Sequence, residues 1–350
     1  MERVLVCLLA STRAHQLSFP SFKRRVLDEL NGDLALALLI DDNYDYSNRF
    51  WQHAKYRWTA PIYSDYGEAF DFAQRSLCQQ YNVPAPNWRQ MLQIKGAWQG
   101  GIRSPDPQPS ASSILTFCRW LLLNGLHRDQ ILDRYDRFVI TRPDFVWLCP
   151  HPPLSVLDRD AIWVPDGEDY SGLNDRHLVA SRTNIVNCLN MIEDILLHPS
   201  QLYEEMRDVP GHYHWNDELF LAHHLKRKGL FDKVMRFPYV MYSARPVNDE
   251  SPTWRRGRYE PAVGHYVKYE MEYRAASAYA TIIRNRADWE SGAWKEFVPI
   301  SRPVSRLHRL RYACEASYFN IRSALRRPGR IARFARFCGR AVNRKIQPPQ

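Results

Sequence analysis

An arginine and a carboxylate two residues apart close the segment Tyr135-Asp136-Arg137-Phe138-Val139-Ile140-Thr141-Arg142-Pro143-Asp144. Residues 137–140 read as a short strand, hydrophobic over 138–140, so Arg142 and Asp144 emerge at that strand's C-terminal end. In open α/β sheets this edge is where ligands bind. Pro143 fixes its own φ near about −65° and stiffens the turn. A carboxylate held there has the chemistry to bind a divalent cation bridging two phosphates. It equally suits a turn cap, with Arg142 paired to a surface acid. A second group lies in His212-Tyr213-His214-Trp215-Asn216-Asp217-Glu218-Leu219-Phe220, where polar side chains meet a helix start. Asp217 or Glu218 has the chemistry of a general base. Asn216 or Asp217 is also a good N-cap, and first-turn acids favour the helix dipole. Asn174 and Asp175 end a polar, glycine-containing loop, where they can meet ligand hydroxyls or form turns. Ser11-Thr12-Arg13 follows the first apolar strand, and Asp41-Asp42 follows the second.

The elements that position these residues are legible as periodicities. Residues 4–10 are apolar throughout, as a strand buried on both faces is. A helix is predicted over 19–30, with Ser18 as cap and Gly32 as stop. Strands follow at 34–40 and 59–63, giving a β-α-β-β opening to a doubly wound sheet. Tyr66, Phe70, Ala73, Leu77 and Tyr81 mark one helix face. Residues 82–113 read as a surface loop, and 111–132 as a long buried helix. Further strands are expected at 137–140, 161–164 and 177–181, and helices at 184–197 and 217–228. Residues 234–242 read as extended, 245–265 as irregular and 267–286 as helical.

With that order of elements, the strand ending in Arg142-Pro143-Asp144 resembles the donor-binding strand of GT-A-type glycosyltransferases. Those enzymes place an Asp-x-Asp motif or a variant of it after a short hydrophobic strand that follows a long helix. Arg-x-Asp strands of this kind occur in glycosyltransferases of surface-polysaccharide synthesis. The resemblance spans residues 3–245 in element order and is motif-level in short segments only. It implies a GT-A-like, Rossmann-type mixed sheet flanked by helices, acting on a nucleoside diphosphate sugar and a glycan or lipid-linked acceptor. Ser11, Arg13, Asp41, Arg119, Arg142 and Asp144 are then the donor-site residues, with a Mn²⁺ or Mg²⁺ ion on Asp144. Asn174, Asp175 and Trp215 border the sugar or acceptor, and Asp217 or Glu218 is the base of an inverting reaction. Asp144→Ala is expected to abolish transfer and leave the fold intact.

Composition and charge set the class. With 45% hydrophobic and 25% charged residues, the 350-residue chain is globular in type. Its +10 charge is uneven: residues 301–350 hold 13 Lys and Arg against Glu315 alone, net +12, and residues 1–300 are net −2. The predicted organisation is a catalytic domain at 1–300 and a helical basic tail at 301–350. Arginines interleaved with Ile331, Phe334 and Phe337 suit an anionic membrane surface. Nucleic acid and a solvated tail are the competing readings. Seven cysteines without a Cys-x-x-Cys pair fit a reducing compartment. The apolar N-terminal run is short and lacks a small-residue cleavage site. The expected location is cytoplasmic, peripheral at the inner face of a membrane. Neither Gly-x-Gly-x-x-Gly nor a P-loop is present, which disfavours dinucleotide enzymes and P-loop kinases. His212-x-His214 and His223-His224 lack helix-face ligand spacing. The rival functions are a non-catalytic nucleic-acid binder and a metal-dependent nucleotidyltransferase.

Overall fold

Strand β1 (Val4–Ala10) is apolar at every position because both of its faces are covered. Leu5, Cys7 and Leu9 point into one core cluster, and Val4, Val6 and Leu8 into the other. The computed structural model describes residues 2–104, 110–207, 215–247 and 257–296, all within the unit Met1–Ser301. The expected basic helix at 301–350 lies outside the described residues, as do Tyr213 and the two histidines His212 and His214.

After β1 the chain forms α1 (His15–Phe22), a π-helical stretch (Lys23–Leu27) and α2 (Asp28–Leu30). The helix begins four residues earlier than predicted. Ser18 is therefore not its cap, and its buried hydroxyl lies 2.5 Å from the Pro143 carbonyl oxygen. The left-handed stop is Asn31, at φ 46°, rather than Gly32. Strand β2 (Asp33–Ile40), α3 (Arg49–His53), β3 (Tyr56–Pro61), α4 (Tyr66–Tyr81) and α5 (Ser112–Arg128) follow. The segment between α4 and α5 departs from the predicted surface loop. It contains 3-10 turns whose Trp88, Met91, Ile94 and Trp98 are buried. Its prolines and glycines broke the periodicity while its aromatic residues were filling the core.

Strand β4 (Arg137–Thr141) lies beside β1, and β5 (Phe145–Trp147), unread in the sequence because it is only three residues long, leaves for a second sheet. Next come β6 (Ile162–Pro165), β7 (Leu178–Ser181), α6 (Arg182–Leu189), α7 (Met191–Leu197), α8 (Pro199–Arg207) and α9 (Asp217–Arg227). The single helix expected over 184–197 is broken at Asn190. The chain then gives β8 (Val234–Phe237), β9 (Met241–Arg245), β10 (Arg258–Glu260), β11 (His265–Val267), α10 (Glu270–Tyr279) and α11 (Arg286–Glu290). The extended stretch at 234–242 is thus two strands in two different sheets.

Among the described residues the main sheet has seven strands in the order β3-β2-β1-β4-β7-β6-β8, and the second has four, β10-β11-β9-β5. The architecture is α/β, a mixed Rossmann-like sheet flanked by helices. β1, β2, β3 and β4 run parallel, and β7 is antiparallel to β4 and β6. From β1 the chain moves outward to β2 and β3, then returns on the other side as β4. The C-terminal edge between β1 and β4 is therefore the topological switch point, where such sheets open a crevice. No helix among the described residues is long and apolar enough to cross a membrane.

Candidate functional site

The crevice edge gathers three loops and one helix start. The turn after β4 carries Arg142 and Asp144, and the loop after β1 carries Ser11, Thr12 and Arg13. The loop between β6 and β7 carries Asn174, Asp175 and Arg176, and α9 begins with Asp217 and Glu218.

Asp144 is nearly buried, 6% exposed. Arg142 donates to it through two nitrogens, Nε to Oδ1 at 3.0 Å and Nη2 to Oδ2 at 3.1 Å. Arg245 donates to Oδ2 through Nη1. The approach of Arg245 follows from the second sheet: β5 pairs antiparallel with β9, and the Ala244 amide donates to the Asp144 carbonyl at 2.9 Å. Burial opposes the Asp144 charge, but Arg142, Arg245 and Lys268 outweigh it and hold the carboxyl far below its usual range. Lys268 follows β11 directly, and its amide donates to the Ser243 carbonyl. Burial and then the neighbouring Arg142 and Arg245 push the Lys268 ammonium down to about 7. Behind this layer Glu272 accepts from Arg176, from Tyr239 Oη at 2.8 Å and from the Ser243 amide at 2.8 Å.

This arrangement does not suit a divalent metal on Asp144. Both of its oxygens already accept from guanidinium groups, and no group of three metal-ligating side chains exists among the described residues. The residues present do not fit a Mn²⁺ or Mg²⁺ ion. They are a set of cations around a carboxylate.

On the facing side, α9 starts at Asn216, whose Oδ1 accepts from the Leu219 amide at 2.8 Å. The capping role therefore belongs to Asn216, which leaves both acids for other work. Asp217 is 6% exposed, and its Oδ1 is buried without a hydrogen-bond partner. Burial and the Asp175 charge push its carboxyl up to about 7, against the opposing pull of Arg119. Glu218, half-buried beside it, is also raised, by burial and by the charges of Asp175 and Asp217. Arg119 reaches in from α5 and donates to the Asp175 carbonyl at 2.6 Å.

Gly172 sets how closely the β6–β7 loop approaches α9. The Leu173 amide donates to the Glu218 carbonyl at 3.0 Å, and a Cβ on Gly172 would stand 2.0 Å from that carbonyl oxygen. Gly172→Ala is expected to push the loop off α9 and cost several kcal/mol, as overpacking of backbone against backbone does. Thermal melting at wild-type temperature would show that the loop tolerates the methyl group and that this contact does not fix Asp175.

Two residues expected to meet sugar hydroxyls are occupied otherwise. Asn174 is fully buried: its Nδ2 donates to the Gly167 carbonyl and its Oδ1 accepts from the Arg176 amide. Its side chain shapes the loop. Trp215 is 4% exposed, donates through Nε1 to the Met206 carbonyl and bridges Gly96 by backbone pairing. A Cβ on Gly96, at φ 154°, would meet the Trp215 carbonyl oxygen at 2.1 Å. Trp215 is core, and Trp215→Ala is expected to cost about 3–5 kcal/mol in denaturant unfolding. A loss under 1 kcal/mol would contradict that role.

Ser11 is half-buried and Arg13 exposed in the loop after β1. Asp41 is exposed at the end of β2, where its Oδ1 accepts from the Asn43 amide in a turn. Between them lies a feature the sequence did not announce. Thr12 is buried, with its hydroxyl 3.1 Å from Tyr44 Oη and 2.7 Å from Asn48 Nδ2. Tyr44, Tyr46 and Trp51 form an aromatic corner with ring centroids 5.1–5.4 Å apart. Arg176, Arg245, Lys268 and Glu272 were also missed, because nothing local marks a charged residue whose partners come from distant segments. His223 and His224 pair with Glu205 and Asp194 and are structural. No protein-family model matches the chain, and a search of curated proteins finds no match.

Proposed function

We propose that this chain is a GT-A-like glycosyltransferase that moves a sugar from a nucleoside diphosphate sugar to a glycan or lipid-linked hydroxyl. The observation that carries the reading is Asp217: a buried carboxylate with an unpartnered Oδ1 and an affinity for protons near neutrality. It stands in the same electrostatic network as Arg142, at the crevice edge of the sheet. A general base works best when its pKa lies near the operating pH. In the proposed inverting reaction, Asp217 takes the acceptor hydroxyl proton while the new C–O bond forms at the anomeric carbon. The bond from that carbon to the diphosphate oxygen breaks on the opposite face. Arg142 stabilises the negative charge that develops on the leaving group.

The cations beside Asp144 support a phosphorylated donor, and the Tyr44, Tyr46 and Trp51 corner beside Thr12 supports a stacked nucleobase. Burial and the charges of Asp175 and Asp217 raise the proton affinity of Glu218, which favours it as a hydrogen-bond donor. A metal-dependent nucleotidyltransferase is the weaker reading, since it needs several carboxylates free for metal. The membrane partner assigned to 301–350 remains part of the proposal. So do the location at the inner face and the surface-polysaccharide role.

The test is to incubate the full chain with a panel of nucleoside diphosphate sugars and measure released nucleoside diphosphate. Turnover of at least one donor, lost in Asp217→Asn, is expected. Absence of turnover across the panel, or a wild-type rate in the variant, overturns the assignment.

A further inference from the structure

We propose that Arg142, Arg245 and Lys268 bind the two phosphoryl groups of the ligand directly, without a divalent cation, and that Asp144 is their internal counter-ion. This rests on the reading of the crevice as a donor site, and it changes what holds the donor there.

Three observations carry it. The first is the hydrogen-bond ledger of Asp144, whose two oxygens are both engaged by guanidinium groups. A metal would have to displace an arginine to reach them. The second is exposure. Asp144 is 6% exposed, whereas the Arg142 side chain keeps 20% of its surface open and Lys268 is half-buried. Arg245, at 7%, is as buried as the carboxylate, so a ligand entering the crevice meets Arg142 and Lys268 first and Arg245 behind them. The third is convergence. Arg142, Arg176, Arg245 and Lys268 face one another around Asp144, with Glu272 and Glu168 against Arg176. An anion arriving here meets cations from four segments of the chain and offsets the repulsion among them. Arginine's planar fork suits phosphoryl oxygens, and a lysine adds a compact point charge.

Arg142 comes from the turn after β4, Arg245 from β9 and Lys268 from the end of β11, so the site is assembled from segments far apart in sequence. A bidentate Arg142 already spends Nε and Nη2 on Asp144. Its Nη1 remains for the ligand, and binding need not break the pair that orients it.

The experiment is calorimetric titration of the full chain with inorganic pyrophosphate at pH 7, in EDTA and then in Mn²⁺. Binding in EDTA is expected, weakened at least tenfold by Lys268→Met and restored by Lys268→Arg. Lys55→Met, at the opposite end of the sheet, serves as a control for loose association with surface lysines and is expected to bind as the wild type does. Binding that requires Mn²⁺, or that Lys268→Met leaves unchanged, overturns the proposal, even if sugar nucleotides are turned over and the enzymatic reading survives. Metal-free binding that depends on Lys268 upholds it even if no sugar nucleotide is consumed, in which case only the enzymatic reading falls.

Discussion

Asp217→Asn is expected to lower turnover by ~10²–10⁴-fold and to raise thermal stability at pH 8. The two effects share one cause. The folded protein lifts this carboxyl from 3.8 to about 7 by burial and by the Asp175 charge. A group with a raised folded pKa contributes stability below its unfolded value and loses it as pH rises through the folded one. Between about pH 4 and 7 the native state therefore holds a proton that the unfolded chain gives up. Above pH 7 it carries a buried, half-satisfied charge. Each tenfold in proton affinity is about 1.4 kcal/mol. Sharing of charge among Asp175, Asp217 and Glu218 reduces the total, so a gain on the order of 2 kcal/mol is expected from the amide. Melting curves at pH 5 and pH 8 check it: the variant gains at pH 8 and little at pH 5. A variant that is less stable than wild type at pH 8 would show that the charge is well solvated, and the case for a tuned base would fail with it.

Asp144→Ala is expected to unfold much of the site rather than only silence it, contrary to the expectation from sequence. Removing it leaves Arg142 and Arg245 as neighbouring guanidiniums without their shared carboxylate. Breaking a buried pair from one side costs about 3–5 kcal/mol. The depressed carboxyl gives the same sign in acid: stability present above pH ~4 is lost as pH falls and protons compete with the arginines. The double change Asp144→Ala with Arg245→Ala should recover part of the loss, because it removes a stranded charge as well as its partner. Denaturant midpoints for the single and double variants decide the matter, and a single variant melting with wild type refutes the counter-ion role.

Residues whose job is local were legible from sequence, and residues whose job is set by distant chain were not. The strand β1 and the helices α4 and α9 declare themselves because burial on one or both faces imposes a period. Arg142 and Asp144 stood out because a short apolar strand ends in front of them. Other side chains have two outlets that sequence does not separate. Asn174 is an equally good hydroxyl ligand and loop former, and 0% exposure decides for the loop. Trp215 stacks on sugars or fills a core with the same ring, and its backbone pairing with Gly96 decides for the core. Arg245 sits at the start of a stretch that looked irregular and Lys268 at the start of one that read as helical, because strands of three to five residues are too short to show alternation.

The chain crosses from the seven-stranded to the four-stranded sheet within residues 141–145. The cations around Asp144 therefore belong to two separately hydrogen-bonded layers, and no ladder runs between them at that point. A bound dianion would act as a cross-brace, joining layers that otherwise meet there through side chains. Amide hydrogens of β9 and β11 should then exchange more slowly when the crevice is filled, while those of β1 and β2 stay as they were. The order in which the sheets come apart would thus be set by what occupies the crevice.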